Sequence, residues 1–516
     1  MFKAGNYSIP NDFSWIGDWA KRRALLTPDN EAVFDNIEKK LYTFKDLNLR
    51  ANKLARLLLK EGIAKGDRVA MFSTNRIECI DLFLATGKIG AILVPFNIRL
   101  SIQEIEYLIK KTGPSIFFYE SKLAETVSEL KKKSIINHSV IMGNDSALND
   151  SNTIDLTRKI LDSDVERPIL DFDDPHLILF TGGTTGLPKG AILSHRLIFW
   201  NSINTILSWS LRPDDIQPLL FPLFHTGGWN VLLVPFYHLG AKTILMGDFI
   251  PRETIRVIEE EKCTIVIGVP TMFHMMANTS LFAKTNFESV RIFISGGAPC
   301  PVAIMEKYWD KNKLFKMGYG LTEVGPNNFY LPEKRIKEKP TSVGLPVLHC
   351  DMQIINTKTD EVVKKGVVGE LLLKGPHIFS GYWDEPEETE KTIEPDGWVH
   401  TGDLAMQDDE GFYYIVGRRK EMYISGGENV YPVEIEELLF KHPAVDLAAV
   451  IGVPDEKWGE VGKAFLTLKA GKTLDVDEIR NYLIERLAKY KIPKYFEIRD
   501  NLPTSATGKI LKRELK

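Results

Sequence analysis

The stretch Leu177-Ile178-Leu179-Phe180-Thr181-Gly182-Gly183-Thr184-Thr185-Gly186-Leu187-Pro188-Lys189-Gly190 begins as an apolar strand and runs into a loop of glycines, hydroxyls and one lysine. Glycines let backbone N–H groups approach phosphate oxygens closely, threonine hydroxyls add donors, and Lys189 adds charge. An anion-binding loop is the natural chemical reading, and a glycine-rich hairpin without a ligand is the bland alternative. The loop does not fit G-x-x-x-x-G-K-[ST], because Pro188 precedes Lys189 and Gly190 follows it. The next residues, Ala191-Ile192-Leu193, read as a second strand, and Ser194 as the cap of a helix. The loop is therefore expected to join two strands.

On either side the chain alternates helices and strands. Thr43 and Asp46 form a capping-box pattern before a helix with an apolar stripe at Leu47, Ala51, Leu54 and Leu58, ending near Gly62. Apolar segments 68–73, 265–270 and 291–297 read as buried strands, the last two running into Gly/Pro-rich turns. Such alternation predicts an α/β fold with parallel sheets, with ligands bound where strands end in loops. Short alternating segments separated by Gly and Asp turns over 350–420 suggest a small β-rich unit. Beyond it, expected helices at 433–440 and 476–489 and strands at 447–453 and 463–469 suit an independent α+β domain. The expected division is a large N-terminal domain, 1–417, and a smaller C-terminal one, 418–516.

A length of 516 residues calls for two or more domains, and 44% hydrophobic with 26% charged residues describes an ordinary globular protein. With 65 basic and 69 acidic residues spread along the chain, no electrostatic footprint for nucleic acid is present, and small molecules are the expected partners. Cys79, Cys263, Cys300 and Cys350 lie far apart, without zinc-ligand spacing, and read as buried free thiols of a reducing compartment. The N-terminal residues lack an apolar signal-peptide core, and the apolar run 231–237 is too short to span a bilayer. A cytoplasmic location is the expectation, and a homodimer is left open.

Further segments carry chemistry. In Met317-Gly318-Tyr319-Gly320-Leu321-Thr322-Glu323, Tyr319 offers a flat face to a purine, Thr322 a hydroxyl to a phosphate, and Glu323 a hard oxygen to Mg²⁺. A partly buried aromatic turn beside a surface acid would contain the same residues. The carboxylate of Asp403, in Thr401-Gly402-Asp403, can accept hydrogen bonds from two ribose hydroxyls. Lys509 ends the small-residue loop Pro503-Thr504-Ser505-Ala506-Thr507-Gly508-Lys509, though a merely basic tail is the common alternative.

The loop at 181–190 resembles the phosphate-binding signature of the adenylate-forming superfamily of acyl-CoA synthetases, adenylation domains and luciferases. The resemblance covers nearly the whole chain, since the further motifs follow in the expected order. It implies that Thr181, Gly182, Gly183, Thr184, Thr185, Gly186 and Lys189 hold ATP phosphates and that Glu323 holds Mg²⁺. Gly296, Gly297, Ala298, Tyr319, Gly320, Asp403 and Arg418 would bind adenosine, and Thr322 a phosphate. Lys509 matches the position of the family's catalytic lysine. Lys420 in Gly417-Arg418-Arg419-Lys420 matches its hinge, about which a mobile C-terminal domain rotates, and Gly426 and Gly427 would line the pantetheine tunnel.

The implied chemistry is acid–thiol ligation: ATP and a carboxylic acid give acyl-AMP and pyrophosphate, and coenzyme A then takes the acyl group. His225, in Phe221-Pro222-Leu223-Phe224-His225, is a candidate catalytic or acid-positioning residue, with a core histidine as the alternative. Trp229 matches the spacing of a gating tryptophan of long-chain fatty acyl-CoA synthetases; a core tryptophan is equally compatible. The apolar character of 227–236 leads to a medium- or long-chain fatty acid as the expected substrate. An aryl acid, a stand-alone enzyme that acylates a carrier protein, a luciferase-like oxygenase and an inactive nucleotide-binding regulator are the rivals.

Overall fold

The computed structural model describes residues 13–182, 188–505 and 508–515. The chain forms two compact units that interleave in sequence. The first takes the residues up to Phe249 and adds Leu321–Asn327 and Gly375–Ile393; the second comprises Ile250–Gly320, Asn328–Lys374 and Glu394 onward.

The first unit contains a six-stranded sheet in the order Ser139–Ile141, Ile116–Tyr119, Arg68–Phe72, Ile92–Pro95, Pro175–Thr181, Lys189–Ser194. Its neighbours run parallel except the last pair, which is antiparallel with Thr181 opposite Lys189. The expected strand–loop–strand is therefore present, and Ser194 caps the following helix through Leu197 N. The four buried residues of Ile116–Tyr119 and of Ile92–Pro95 show why these strands read as continuous apolar runs: both sheet faces are covered. The capping box forms as expected: Asp46 N donates to Thr43 Oγ1 at 3.1 Å and Thr43 N to Asp46 Oδ2 at 2.9 Å. That helix, Phe44–Lys60, buries Leu47, Ala51, Leu54 and Leu58. A second sheet pairs Lys40–Thr43, Glu31–Asp35, Lys242–Leu245 and Ile216–Leu219.

The second unit holds a parallel sheet of Ile265–Gly268, Ile292–Ser295 and Leu314–Met317. The β-rich composition around 350–420 becomes a four-stranded antiparallel sheet of Asp351–Ile355, Gly369–Lys374, Val399–Gln407 and Tyr413–Arg418. Toward the C-terminus, Val445–Asp455 and Gly459–Leu468 pair antiparallel against helix Pro432–Lys441 and share its apolar core with Ile479 and Leu483. One expected helix is shorter than read. Val476–Ile484 stops where Glu485 N donates to both Leu483 O and Asn481 O, and the chain re-enters helical form only as a 3₁₀ turn at Lys489–Lys491. Among the described residues no helix is long and apolar enough to cross a membrane.

A column of rings crosses the first unit: Trp229 stacks on Phe83 at 4.9 Å, Phe83 meets His176 at 4.3 Å, and His176 stacks on His195 at 4.7 Å. Burial pushes His176 down to about 4, and burial together with His176, Arg167 and Lys65 holds His195 well below its ordinary value. Below pH ~6.5 the unfolded chain takes up protons at both positions while the folded chain does not. For His176 this stability is thus complete above ~6.5 and is lost as pH falls toward 4, by ~1.4 kcal/mol per pH unit, and His195 acts in the same direction. Thermal unfolding between pH 7 and 4.5 should show a shallower acid slope for His176→Gln than for the native chain. Equal slopes would remove His176 as a source.

Candidate active site

In the first unit the strand end at Thr181 and the strand start at Lys189 face a polar group built by the two segments inserted from later in the chain. Thr181 Oγ1 donates to Glu323 Oε1 at 3.1 Å, and the Tyr382 hydroxyl donates to the same oxygen at 3.0 Å. Lys189 Nζ pairs with Glu388 and lies 5.2 Å from the centre of the Tyr382 ring. Hydrogen bonds from Lys189 and Lys391 hold the Glu388 carboxyl down at about 2, and burial followed by Glu323 pushes the Tyr382 phenol up. No atom of the described residues lies within 4 Å of where a Cβ on Gly182 would stand. Gly183, Thr184, Thr185 and Gly186 lie outside the described residues. Thr322 and Glu323 sit in a 3₁₀ turn, Thr322 buried, with the Glu323 carbonyl accepting from Phe379 N at 2.8 Å.

Both hydroxyls reach Glu323 through Oε1, and no group of three His, Cys, Asp or Glu gathers among the described residues. That donor set suits Mg²⁺, which takes one or two carboxylates and completes its shell with water and substrate phosphates.

Behind this group lies the turn Gly227–Val231, a single π-helical turn whose five residues are buried. Such turns leave backbone carbonyls without their usual partners. Here Asn201 Nδ2 donates to Asn230 O at 2.6 Å, and Asn327 Nδ2 to Val231 O at 2.8 Å. Asn327 follows Glu323 by one turn of chain, so the turn and the Glu323 segment are tied together. Gly228 is obligatory: a Cβ there would stand 2.5 Å from Pro222 O. His225 is exposed, and its Nδ1 accepts from Gly227 N at 3.0 Å, which places the ring proton on Nε2. Trp229 is fully buried, and its Nε1 donates to Leu223 O at 2.5 Å. Trp229→Phe, which deletes that donor and part of the ring, should cost about 1–3 kcal/mol in a urea titration. An unchanged midpoint would mean the indole is not structural.

The second unit gathers most of the residues assigned to adenosine. The Tyr319 hydroxyl donates to Asp403 Oδ2 at 2.7 Å, and Arg418 Nε pairs with Asp403 Oδ1 at 3.0 Å. Asp403 and Arg418 are directly opposed on paired strands, which explains why two motifs distant in sequence meet. Burial raises the Asp403 carboxyl while Arg418 and Tyr319 oppose the shift. The charge of Lys509 is coupled to this group: burial and then Arg418 lower its pKa, and Glu421 and Asp403 raise it. Gly297, at φ +80°, lets the chain turn off the end of strand Ile292–Ser295, and Gly318 N donates to Ser295 O at 2.8 Å, so the Gly296–Ala298 shelf and the Tyr319 segment leave adjacent strand ends. Gly320 is the last residue of this unit before the chain passes to the first.

Lys420 is exposed in a turn after strand Tyr413–Arg418. Gly426 and Gly427, both at positive φ, make the two-residue turn between Tyr423–Ser425 and Glu428–Val430, where only glycine-like residues fit without strain. A Cβ on Gly426 would meet Trp458 at 2.9 Å. All four cysteines are free and buried, and burial pushes the thiols of Cys79 and Cys300 up to about 12.

Sequence reasoning missed Tyr382, Glu388 and Asn327. The first two lie just before and within an acidic helix, Pro386–Thr392, whose pattern resembles any solvated surface.

Two family profiles match the chain: one described as AMP-binding enzyme over residues 20–383, and one described as AMP-binding enzyme C-terminal domain over 434–509. The chain is 36% identical over 503 residues to a feruloyl-CoA synthase of an Amycolatopsis species, covering 97% of this chain and 98% of that one. It is 33% identical to a long-chain-fatty-acid–CoA ligase of Mycobacterium tuberculosis, covering 97% and 98%. Its structure is similar to that of o-succinylbenzoate CoA synthetase of Bacillus subtilis in complex with an acyl-adenylate intermediate, with a TM-score of 0.85, 30% identity, and 97% and 98% of the chains covered. The chain belongs to the AMP-binding enzyme family. It is an AMP-forming acyl-CoA synthetase, and ATP and coenzyme A are its co-substrates.

Proposed function

We propose that the acid activated is one with a rigid apolar body, an aryl or aryl-alkenyl acid first of all. The observation that carries this is Trp229: it is fully buried, stacked on Phe83 and fixed through Nε1, packed as a core residue and not as the swinging gate that a long alkyl chain would need. A long alkyl chain needs a tunnel that opens, whereas a rigid acid does not. The similarity to a feruloyl-CoA synthase supports the same choice. The fatty acid expected from the sequence stays as the second reading, favoured by the buried apolar run from Val231 to Phe236 and by the mycobacterial relative.

In the proposed reaction the acid carboxylate attacks the α-phosphorus of ATP and pyrophosphate leaves. The thiol of coenzyme A then attacks the acyl carbon and AMP leaves. Residues 181–190 and Thr322 hold phosphates, Tyr319 and the Gly296–Ala298 shelf enclose the adenine, and Asp403 with Arg418 holds the ribose. Mg²⁺ held by Glu323 would neutralise charge on the phosphates. Lys509 stabilises charge developing at the α-phosphate and keeps the carboxylate in line. His225, with its Nε2 proton, orients the acid. Residues 418–516 form a lid that turns about Lys420 between the two steps, bringing Gly426 and Gly427 to the pantetheine arm.

Incubation with ATP, Mg²⁺, coenzyme A and matched series of cinnamic, benzoic and C6–C16 fatty acids, with AMP as the readout, tests the choice. Aryl acids should give the higher kcat/KM. A preference rising with alkyl length would replace this reading with the second, and ADP in place of AMP would overturn the adenylate chemistry itself.

A further inference from the structure

Helix Pro270–Ala277 begins directly after the strand Ile265–Gly268, and two of its residues one turn apart each hold a segment far along the chain. Thr271 Oγ1 donates to Gly508 O at 2.9 Å. His274 Nε2 donates to Asp446 Oδ1 at 2.8 Å, and its ring meets Phe440 edge-on at 5.8 Å. Thr271 thus grips the residue immediately before Lys509, while His274 grips the start of the strand Val445–Asp455.

The fit at Gly508 is close. Its φ is +81°, and a Cβ there would stand 2.7 Å from Thr271 Oγ1 and 3.3 Å from Val269 Cγ2. Lys509 is fixed on its other side by its own loop. Ser505 N donates to Lys509 O at 2.7 Å, Lys509 N to Ser505 Oγ at 3.1 Å, and Leu511 N to Pro503 O at 2.8 Å. These bonds are internal to the C-terminal segment, and Thr271 holds the segment from outside.

We propose that Thr271 and His274 are positioning residues for adenylate formation: together they seat the Gly508–Lys509 segment, and with it the lysine. This rests on the assignment of Lys509 to the first half-reaction. Thr271 touches no reacting atom. It acts through the carbonyl to which Lys509 is bonded, and His274 through the strand behind it. Because the contacts belong to one arrangement of the C-terminal segment, they matter to the first step and not to the second.

The test separates the steps. Pyrophosphate release with ATP and acid but no coenzyme A reads the first; thioester formation from supplied acyl-AMP and coenzyme A reads the second. Misplacing a reacting group by ~1 Å costs up to about 100-fold. Thr271→Val, which keeps the shape and loses the donor, should therefore lower kcat of the first step about 10-fold with KM for ATP nearly unchanged. Thr271→Ser should restore it, and the second step should be unaffected in both. Asp446→Ala should reproduce the Thr271→Val pattern in milder form. If Lys509→Ala abolishes the first step while Thr271→Val matches the native enzyme, the seating role is overturned. If Lys509→Ala itself leaves the first step intact, the lysine assignment fails and the seating role with it. Equal losses in both steps for Thr271→Val, or no recovery with Thr271→Ser, would reduce the contact to general structure and also overturn the proposal.

Discussion

Lys509→Ala is expected to slow acyl-AMP formation by about 10²–10³-fold, the loss typical of removing one preorganised charge-stabilising group from a transition state. Thioester formation from supplied acyl-AMP should stay close to native. The expectation comes from where the side chain lies. Its charge is influenced by Arg418 and Asp403, which share the Tyr319 cluster, and by Glu421. Burial and Arg418 work against the ammonium, and the two carboxylates favour it. A cation kept in such surroundings is partly desolvated, and its attraction for a nearby phosphate is stronger than in water. In the second step the phosphate is already part of the leaving group and the nucleophile is a thiol, so the same charge is needed less. Stopped assays of pyrophosphate release and of thioester formation provide the two rates. Comparable losses in both would refute the division of labour.

Much of this cluster was legible in the sequence because each part carries a local signature. The loop was read as strand–loop–strand from Pro188 and the apolar residues after Gly190, and Thr181 and Lys189 do face each other across paired strands. The Thr43–Asp46 capping box was legible because it is a four-residue device, decided by side chains that need no tertiary partner. Tyr319, Asp403 and Arg418 were named through family resemblance, and the strand pairing shows why motifs separated along the chain come to one place.

The hidden part depends on tertiary contacts. No local pattern says that Leu321–Asn327 and Gly375–Ile393 leave the second unit to join the first, so Tyr382 and Glu388 could not be matched to Glu323 and Lys189. Trp229 reads as gate or core from sequence alone, because its stacking on Phe83 is a tertiary contact that no local pattern gives. The buried amides of Asn201, Asn230 and Asn327 looked like ordinary polar residues, since their purpose is to satisfy carbonyls that a π turn exposes.

Lys420→Pro should slow the thiol step by about 100-fold and leave pyrophosphate release within about threefold of native. Proline fixes its own φ near −65° and pushes the residue before it out of the helical region. Lys420 is the third residue of the turn Arg418–Glu421, where proline is disfavoured, so thermal unfolding measured beside the two rates separates local damage from a locked hinge. The turn is closed by Arg418 O, which accepts from Glu421 N at 3.0 Å and Met422 N at 3.1 Å, so the closing bonds bypass the Lys420 amide. The Lys420 side chain is exposed. Just before it, Arg419 is anchored: its N–H donates to Gly402 O at 3.0 Å and its guanidinium to Glu370 Oε2 at 3.0 Å. A chain held firmly up to Arg419 and loosely at Lys420 concentrates any rotation of the downstream residues on the Lys420 dihedrals, as hinges commonly do. If the thiol step needs a rotation at this position, locking those dihedrals keeps the present arrangement and blocks that step. Lys420→Ala, which leaves the dihedrals unconstrained, should keep both rates. If Lys420→Pro forms thioester at the native rate from supplied acyl-AMP, rotation at this position is not part of the cycle. A matched loss in Lys420→Ala would instead assign the effect to the lysine's charge.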